Sequence, residues 1–147
     1  MATIFCPLAS GSSGNSVYIG TDHTHILLDA GLSGKGLEER LYAIHRNGGD
    51  IDALFVTHEH VDHIKGVGIL SRRYDIPVYA TPGTWAAMEG LIGSIRERNK
   101  RFVYPGEVCA VNDICVTPFR LPHDAAEPVG YTCQTDKYKL AVATDLG

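Results

Sequence analysis

The chain has 147 residues, 44% hydrophobic and 20% charged, which fits one domain with enough apolar material for a core that needs no disulfide staples. Its net charge of -4 argues against a surface basic enough to coat nucleic acid, although a local groove stays open. Cys6, Cys109, Cys115 and Cys133 show no C-x-x-C spacing, which excludes a zinc ribbon or a redox pair and reads as reduced, mostly core thiols.

In chain order, the N-terminal "MATIFCPLASGSSG" has no basic segment and too short an apolar stretch for a signal peptide. No later run approaches a membrane span, so the expectation is a cytoplasmic protein with no membrane partner. "TIFCPLAS" (3–10) and "NSVYIG" (15–20) are strand-like runs joined by "GSSG", and "HILLDAG" (25–31) is a third that ends in Asp29. "GKGLEERLYAIHRNG" (34–48) puts Leu37, Leu41 and Ile44 at helical spacing and stops at Gly48 and Gly49. "IDALFVTH" (51–58) is too brief for a helix and predicts a buried strand. "IKGVGILSRRYD" (64–75) predicts a helix, "IPVYATP" (76–82) a strand, and "GTWAAMEGLIGSIRERN" (83–99) a helix weakened by glycine. After Pro105 strands follow strands: "EVCAVND" (107–113), "ICVTPFRLP" (114–122), "VGYTCQTD" (129–136) and "KLAVATDLG" (139–147), with turns at Asn112-Asp113 and Asp136-Lys137. Strands alternating with helices early, then strands alone, favour a layered α/β or α+β sheet protein.

The densest chemistry lies in "FVTHEHVDHIKG" (55–66), where His58, His60, Asp62 and His63 follow an apolar run. Residues two apart on an extended segment point the same way, so His58 and His60 can reach one ion at ~2.0–2.1 Å. Asp62 and His63 are displaced from them; if the chain turns into a helix here, that pair diverges and could serve a second ion. A strand end is also where α/β sheets present ligands. His123 in "RLPHDAAEPVGY" follows a strand-like run and alone reads more as a structural residue than a ligand. Asp145 in "AVATDLG" and Asp29 in "LLDAG" are two further carboxylates at strand ends. His23, His25 and His45 lack such placement and read as surface or core residues. "SGSSGNS" (10–16) could cradle a phosphate on its backbone N–H groups, yet it lacks the lysine and following helix of a P-loop and reads as a tight strand connection. "RERNKR" (96–101) reads as a solvated loop or helix end before it reads as a phosphate contact. Neither a G-x-S-x-G elbow nor a Cys/His nucleophile signature is present.

The order Asp29, His58-x-His60-x-Asp62-His63, His123, Asp145 resembles the metallo-β-lactamase-fold hydrolases. "SGSSGNS", "THEHVDH" and "HDAAEPVGY" together resemble their bacterial YycJ/WalJ-type exonuclease subgroup, and the resemblance spans essentially the whole chain. It implies an αββα sandwich in which His58, His60 and His123 hold one ion, Asp62 and His63 hold another, and Asp145 bridges them. Asp29 would stand behind the ligands and orient the histidine loop. Two divalent ions about 3.5–4 Å apart would lower the pKa of a shared water to near 7 and polarise the substrate. The donor set suits zinc and leaves manganese or iron open; Asp62 and Asp145 are the candidate catalytic carboxylates.

The implied function is a dinuclear metal-dependent hydrolase, first a phosphodiesterase or exonuclease on nucleic acid. A glyoxalase-type thioester hydrolase on the same metals and a non-catalytic metal-binding domain are the alternatives. The family pattern adds a later histidine to the second ion, and this chain stops two residues past Asp145. The expectation is therefore a sandwich truncated after its first half to two-thirds. Its second ion would be incompletely held, its activity low, and its uncovered sheet surface favourable to association as a homo-oligomer.

Overall fold

A computed structural model of the chain describes residues 3–122 and 125–143. The first sheet begins with three antiparallel strands, β1 (Ile4–Ala9), β2 (Ser16–Gly20) and β3 (His25–Leu28). It continues in parallel with β4 (Ala53–Phe55), β5 (Val78–Ala80) and β6 (Lys100–Phe102), in the order β1-β2-β3-β4-β5-β6. Parallel neighbours require crossovers, and helices supply them. α1 (Gly34–Ala43) links β3 to β4, α2 (Val61–Ile64) and α3 (Val67–Tyr74) link β4 to β5, and α4 (Pro82–Ile92) links β5 to β6. Two of these helices carry the start signals expected of them. Ser33 Oγ accepts from Gly36 N at the head of α1, and Thr81 Oγ1 accepts from Thr84 N before Pro82 at the head of α4.

A second, antiparallel sheet is a meander of β7 (Cys109–Val111), β8 (Ile114–Arg120), β9 (Val129–Gln134) and β10 (Lys139–Val142), in the order β10-β9-β8-β7. Asn112, at φ 51, makes the tight turn between β7 and β8, a backbone region that asparagine tolerates better than most residues. The first sheet is buried on both faces. Leu27, Leu54, Val56 and Val78 pack against Leu37, Leu41, Leu70, Trp85 and Met88 of the helices. Ile19, Ile26, Leu28 and Phe55 pack against Val116, Val129, Tyr131 and Val142 of the second sheet. That double burial is why "ALF" reads as a continuous apolar run with no alternation. Helices, sheet and sheet form three layers; the outer face of the second sheet presents Ala110, Cys115, Gln134, Lys139 and Ala141 to solvent among the described residues. No helix among the described residues is long and apolar enough to cross a membrane.

Three local expectations change. The helix predicted over 64–75 is shortened to α3, and Ile64 instead closes a separate short helix, α2, because Gly66 between them donates its N–H to Ala30 O at 2.7 Å. The helix predicted over 83–99 ends at Ile92. Gly93 turns to φ 78, a single 3-10 turn (Glu97–Asn99) follows, and β6 is then added at the sheet edge. Its "KRF" sequence is charged enough to read as a helix end, and its pairing with β5 is what makes it a strand. "RERNKR" is otherwise the solvated segment expected: Arg96 and Arg98 pair with Asp75 at 3.2 and 2.6 Å, and Lys100 pairs with Glu89.

The cysteines are not mostly core thiols, because alternation along the strands puts only one of them inside. Cys133 is buried, Cys6 and Cys109 are half-buried, and Cys115 is exposed; none is in a disulfide. Burial pushes the Cys133 thiol up to about 12, so almost none of it is thiolate near neutrality. With iodoacetamide at pH 8, Cys115 is expected to be modified readily and Cys133 to stay unmodified until the protein is unfolded, as read by peptide mass mapping. Equal rates at the two positions would contradict this register of the second sheet.

Candidate metal centre

The site forms where β4 leaves the sheet. After Phe55 the chain leaves the sheet through Val56, bends at Thr57 and continues into His58, held on both sides. From the second sheet, Tyr131 donates its hydroxyl to Val56 O at 2.6 Å and Val129 donates its N–H to Thr57 O at 2.9 Å. Tyr131 is wholly buried, and burial holds its phenol well above the usual range, so it acts as a donor throughout.

From the other side comes Asp29, buried and at φ 65, just past the end of β3. Its Oδ1 accepts from Thr57 N at 2.8 Å, and its Oδ2 accepts from Thr57 Oγ1 and from His63 Nδ1, each at 2.7 Å. The Thr57 hydroxyl has one proton and gives it to Asp29. Its oxygen must then accept from His58 Nδ1, 2.9 Å away. One carboxylate therefore puts the proton on Nδ1 of both His58 and His63 and leaves Nε2 with its lone pair, the tautomer a metal ligand needs.

Past the bend the rings of His58 and His60 come together, with centroids 4.5 Å apart. His60 is then the N-cap of α2, and His63 N donates to His60 O at 2.8 Å. The chain does turn helical at this point, but His63 does not diverge from the first pair: its ring lies 4.2 Å from that of His58, drawn back by Asp29. Asp62 Oδ2 and His63 Nε2 are 3.6 Å apart. Two donors on one tetrahedral ion are ~3.3 Å apart when the bonds are ~2.0–2.1 Å, so this spacing suits shared coordination. His123 and Asp145 lie outside the described residues. Among the described residues no three His, Cys, Asp or Glu side chains make a complete metal-holding group. The donor chemistry fits divalent ions nonetheless, with three imidazoles and a carboxylate on one rim and their hydrogen-bonding partners behind them.

Three contributors escape a reading of the motif alone. Thr57 relays Asp29 to His58. Asn15, in the Ser10–Ser16 loop, donates its Nδ2 to Asp62 Oδ2 at 3.0 Å. Glu59 accepts from Ala126 N at 3.0 Å and so ties the histidine segment to the loop before β9. Thr57 could have been suspected from its place beside His58; the other two carry no local signal. The remaining histidines stand apart. Tyr18 Oη lies 2.6 Å from His25 Nδ1 at the opposite end of β3, and His45, at φ 63, lies past the end of α1 where a helical position was expected.

Residues 9–131 match the family description "Metallo-beta-lactamase superfamily". The chain belongs to that superfamily. Two curated proteins are similar over nearly all of it: "Exodeoxyribonuclease YycJ" of Bacillus anthracis at 49% identity across 100% of this chain and 56% of that protein, and "Exodeoxyribonuclease WalJ" of Streptococcus pneumoniae (strain D39) at 42% identity across 95% and 53%. The chain thus spans about half the length of the curated relatives it matches. Among solved structures, a metallo-β-lactamase of Cronobacter sakazakii superposes with a TM-score of 0.82 at 15% identity, covering 96% of this chain and 56% of that one. At that identity the superposition speaks to fold alone. It agrees with the layered architecture.

Proposed function

We propose that the whole protein is a metal-dependent phosphodiesterase that hydrolyses nucleic acid, DNA first, from a strand end, and that it works in the cytoplasm. The observation that carries this reading is Asp29 holding His63 directly and His58 through Thr57, with the His60 ring and the Asp62 carboxylate beside them. A structural zinc site is more often rich in cysteine, and this cluster has none. The choice of nucleic acid over other substrates of such a centre is supported by similarity to the two exodeoxyribonucleases.

In this reading His58, His60 and His123 would hold one ion, Asp62 and His63 would hold the second, and Asp145 would be a ligand shared by both. Zinc suits the donors best, and manganese or iron is also accommodated. Divalent ions held there supply Lewis acidity and a nucleophile drawn from water at neutral pH. The chain's own residues do the rest. Asp29 and Thr57 keep the imidazoles in one tautomer and one orientation, and the buried Tyr131 and Val129 contacts keep the strand exit from moving when substrate arrives.

The test is a panel assay of the full-length protein on end-labelled single-stranded and duplex DNA, RNA, a β-lactam and a glutathione thioester, with and without prior chelation. The expected result is metal-restorable release of nucleotides from DNA, with no β-lactam turnover. Turnover confined to the thioester would establish the glyoxalase-type alternative, and metal binding without turnover of any substrate would leave a binding domain.

A further inference from the structure

The Ser10–Ser16 loop is more than a strand connection. Asn15 uses every polar group it has: its N–H donates to Asp62 O at 2.8 Å, its carbonyl accepts from Gly31 N at 2.9 Å, and its Oδ1 accepts from Gly11 N at 3.2 Å. Its Nδ2 donates to Gly11 O at 2.9 Å and to Asp62 Oδ2 at 3.0 Å. Three distant segments therefore cross at one point, and they cross closely. Gly31 has no room for a side chain there, since a Cβ would overlap the Asp62 carbonyl.

The two backbone bonds do not involve the Asn15 side chain and remain available when alanine or aspartate replaces it. The side-chain amide adds something separate: one N–H aimed at one oxygen of a partly exposed carboxylate. That bond fixes the Asp62 side-chain rotation and takes up the lone pairs on one side of Oδ2. The carboxylate is then held 3.6 Å from His63 Nε2 when its side chain would otherwise turn in solvent. An amide suits this place because it donates without adding charge, whereas an arginine or lysine would compete with a cation for the same oxygens.

We propose that Asn15 is a positioning residue that presets the Asp62 carboxylate for the ion it shares with His63. This rests on the metal reading above. Outer partners of this kind usually contribute a factor of about 10–100 in metal affinity.

The experiment is a double-mutant cycle in the full-length protein, with zinc and manganese binding measured by chelator competition. Asp62→Ala identifies which ion depends on Asp62. Asn15→Ala is expected to weaken that ion about tenfold and leave the other unchanged. Asn15→Asp should weaken it further, because an acceptor would replace the donor facing Asp62 Oδ2. In the Asp62→Ala background, Asn15→Ala should have no further effect on metal binding, although any purely structural effect of the loop would persist and would show in the unfolding midpoint of the chelated protein. Unchanged metal affinity in Asn15→Ala overturns the proposal, and so does equal weakening with and without Asp62. If Asp62→Ala removes no ion, the ligand assignment itself fails, and the proposal falls for that separate and recognisable reason.

Discussion

Replacing Asp62 by alanine is expected to lower nucleic-acid hydrolysis by the full-length protein more than about a hundredfold, because loss of even an outer partner of a metal ligand costs about 10–100-fold. The fold should be nearly untouched. The Asp62 side chain is 31% exposed at the start of the short α2, and its backbone carbonyl keeps the bond from Asn15 N. Substitutions at such positions usually change stability by less than about 0.5 kcal/mol. Here Asn15 Nδ2 also loses one of its acceptors, so a value nearer about 1 kcal/mol is expected, with Gly11 O still available to it. Steady-state rates, metal content and a urea titration on the same preparation separate the two effects. Activity within tenfold of wild type would remove Asp62 from the reacting centre.

The largest effect on stability is expected from Asp29→Ala, a loss of about 3 kcal/mol or more. The substitution leaves the Thr57 N–H, the Thr57 hydroxyl and His63 Nδ1 without their acceptor in a buried site, and each such orphan costs about 1–3 kcal/mol when it cannot be rehydrated. It also places alanine at φ 65, a left-handed conformation that aspartate and asparagine tolerate better. Asp29→Asn separates the two contributions. The backbone conformation survives, but an amide offers one acceptor oxygen where the carboxylate offers two: with that oxygen toward Thr57 Oγ1 and His63 Nδ1 its NH2 faces the Thr57 N–H, and turned over it meets those two groups with a donor, so His58 and His63 are held less firmly. Asp29→Asn should therefore unfold at a denaturant concentration between wild type and Asp29→Ala, and its metal affinity should also fall between the two. Denaturation with chelator present, so that bound metal adds nothing, measures the first effect, and chelator competition measures the second. A stability change under about 1 kcal/mol for alanine would mean that the buried carboxylate is not the anchor described.

The elements and the candidate site were legible to different degrees. Strands 1 to 5 and 7 to 10 and the helices that cross between them follow from local periodicity and from the glycine and cap residues at their ends. β6 does not, because "KRF" becomes a strand only by pairing with β5. The break at Gly66 was hidden too, since its cause is the carbonyl of Ala30, far away in sequence. Burial of the cysteines depended on which face of each strand met the first sheet, and one residue of register decides that for the whole strand.

At the site, the H-x-H-x-D-H spacing was enough to nominate candidate metal ligands and to bring His58 and His60 together, because they lie within a few residues of each other. The condition of those residues was not local. The partner that draws His63 back toward His58 comes from 34 residues away, the amide on Asp62 from 47, and the backbone N–H on Glu59 from 67. A sequence lists donors and acceptors without saying which will be left together when water is excluded. Strand order and the crossings at Gly31 and Gly66 make that choice, since a buried polar group must find its partner among whatever the packed sheet brings within about 3 Å.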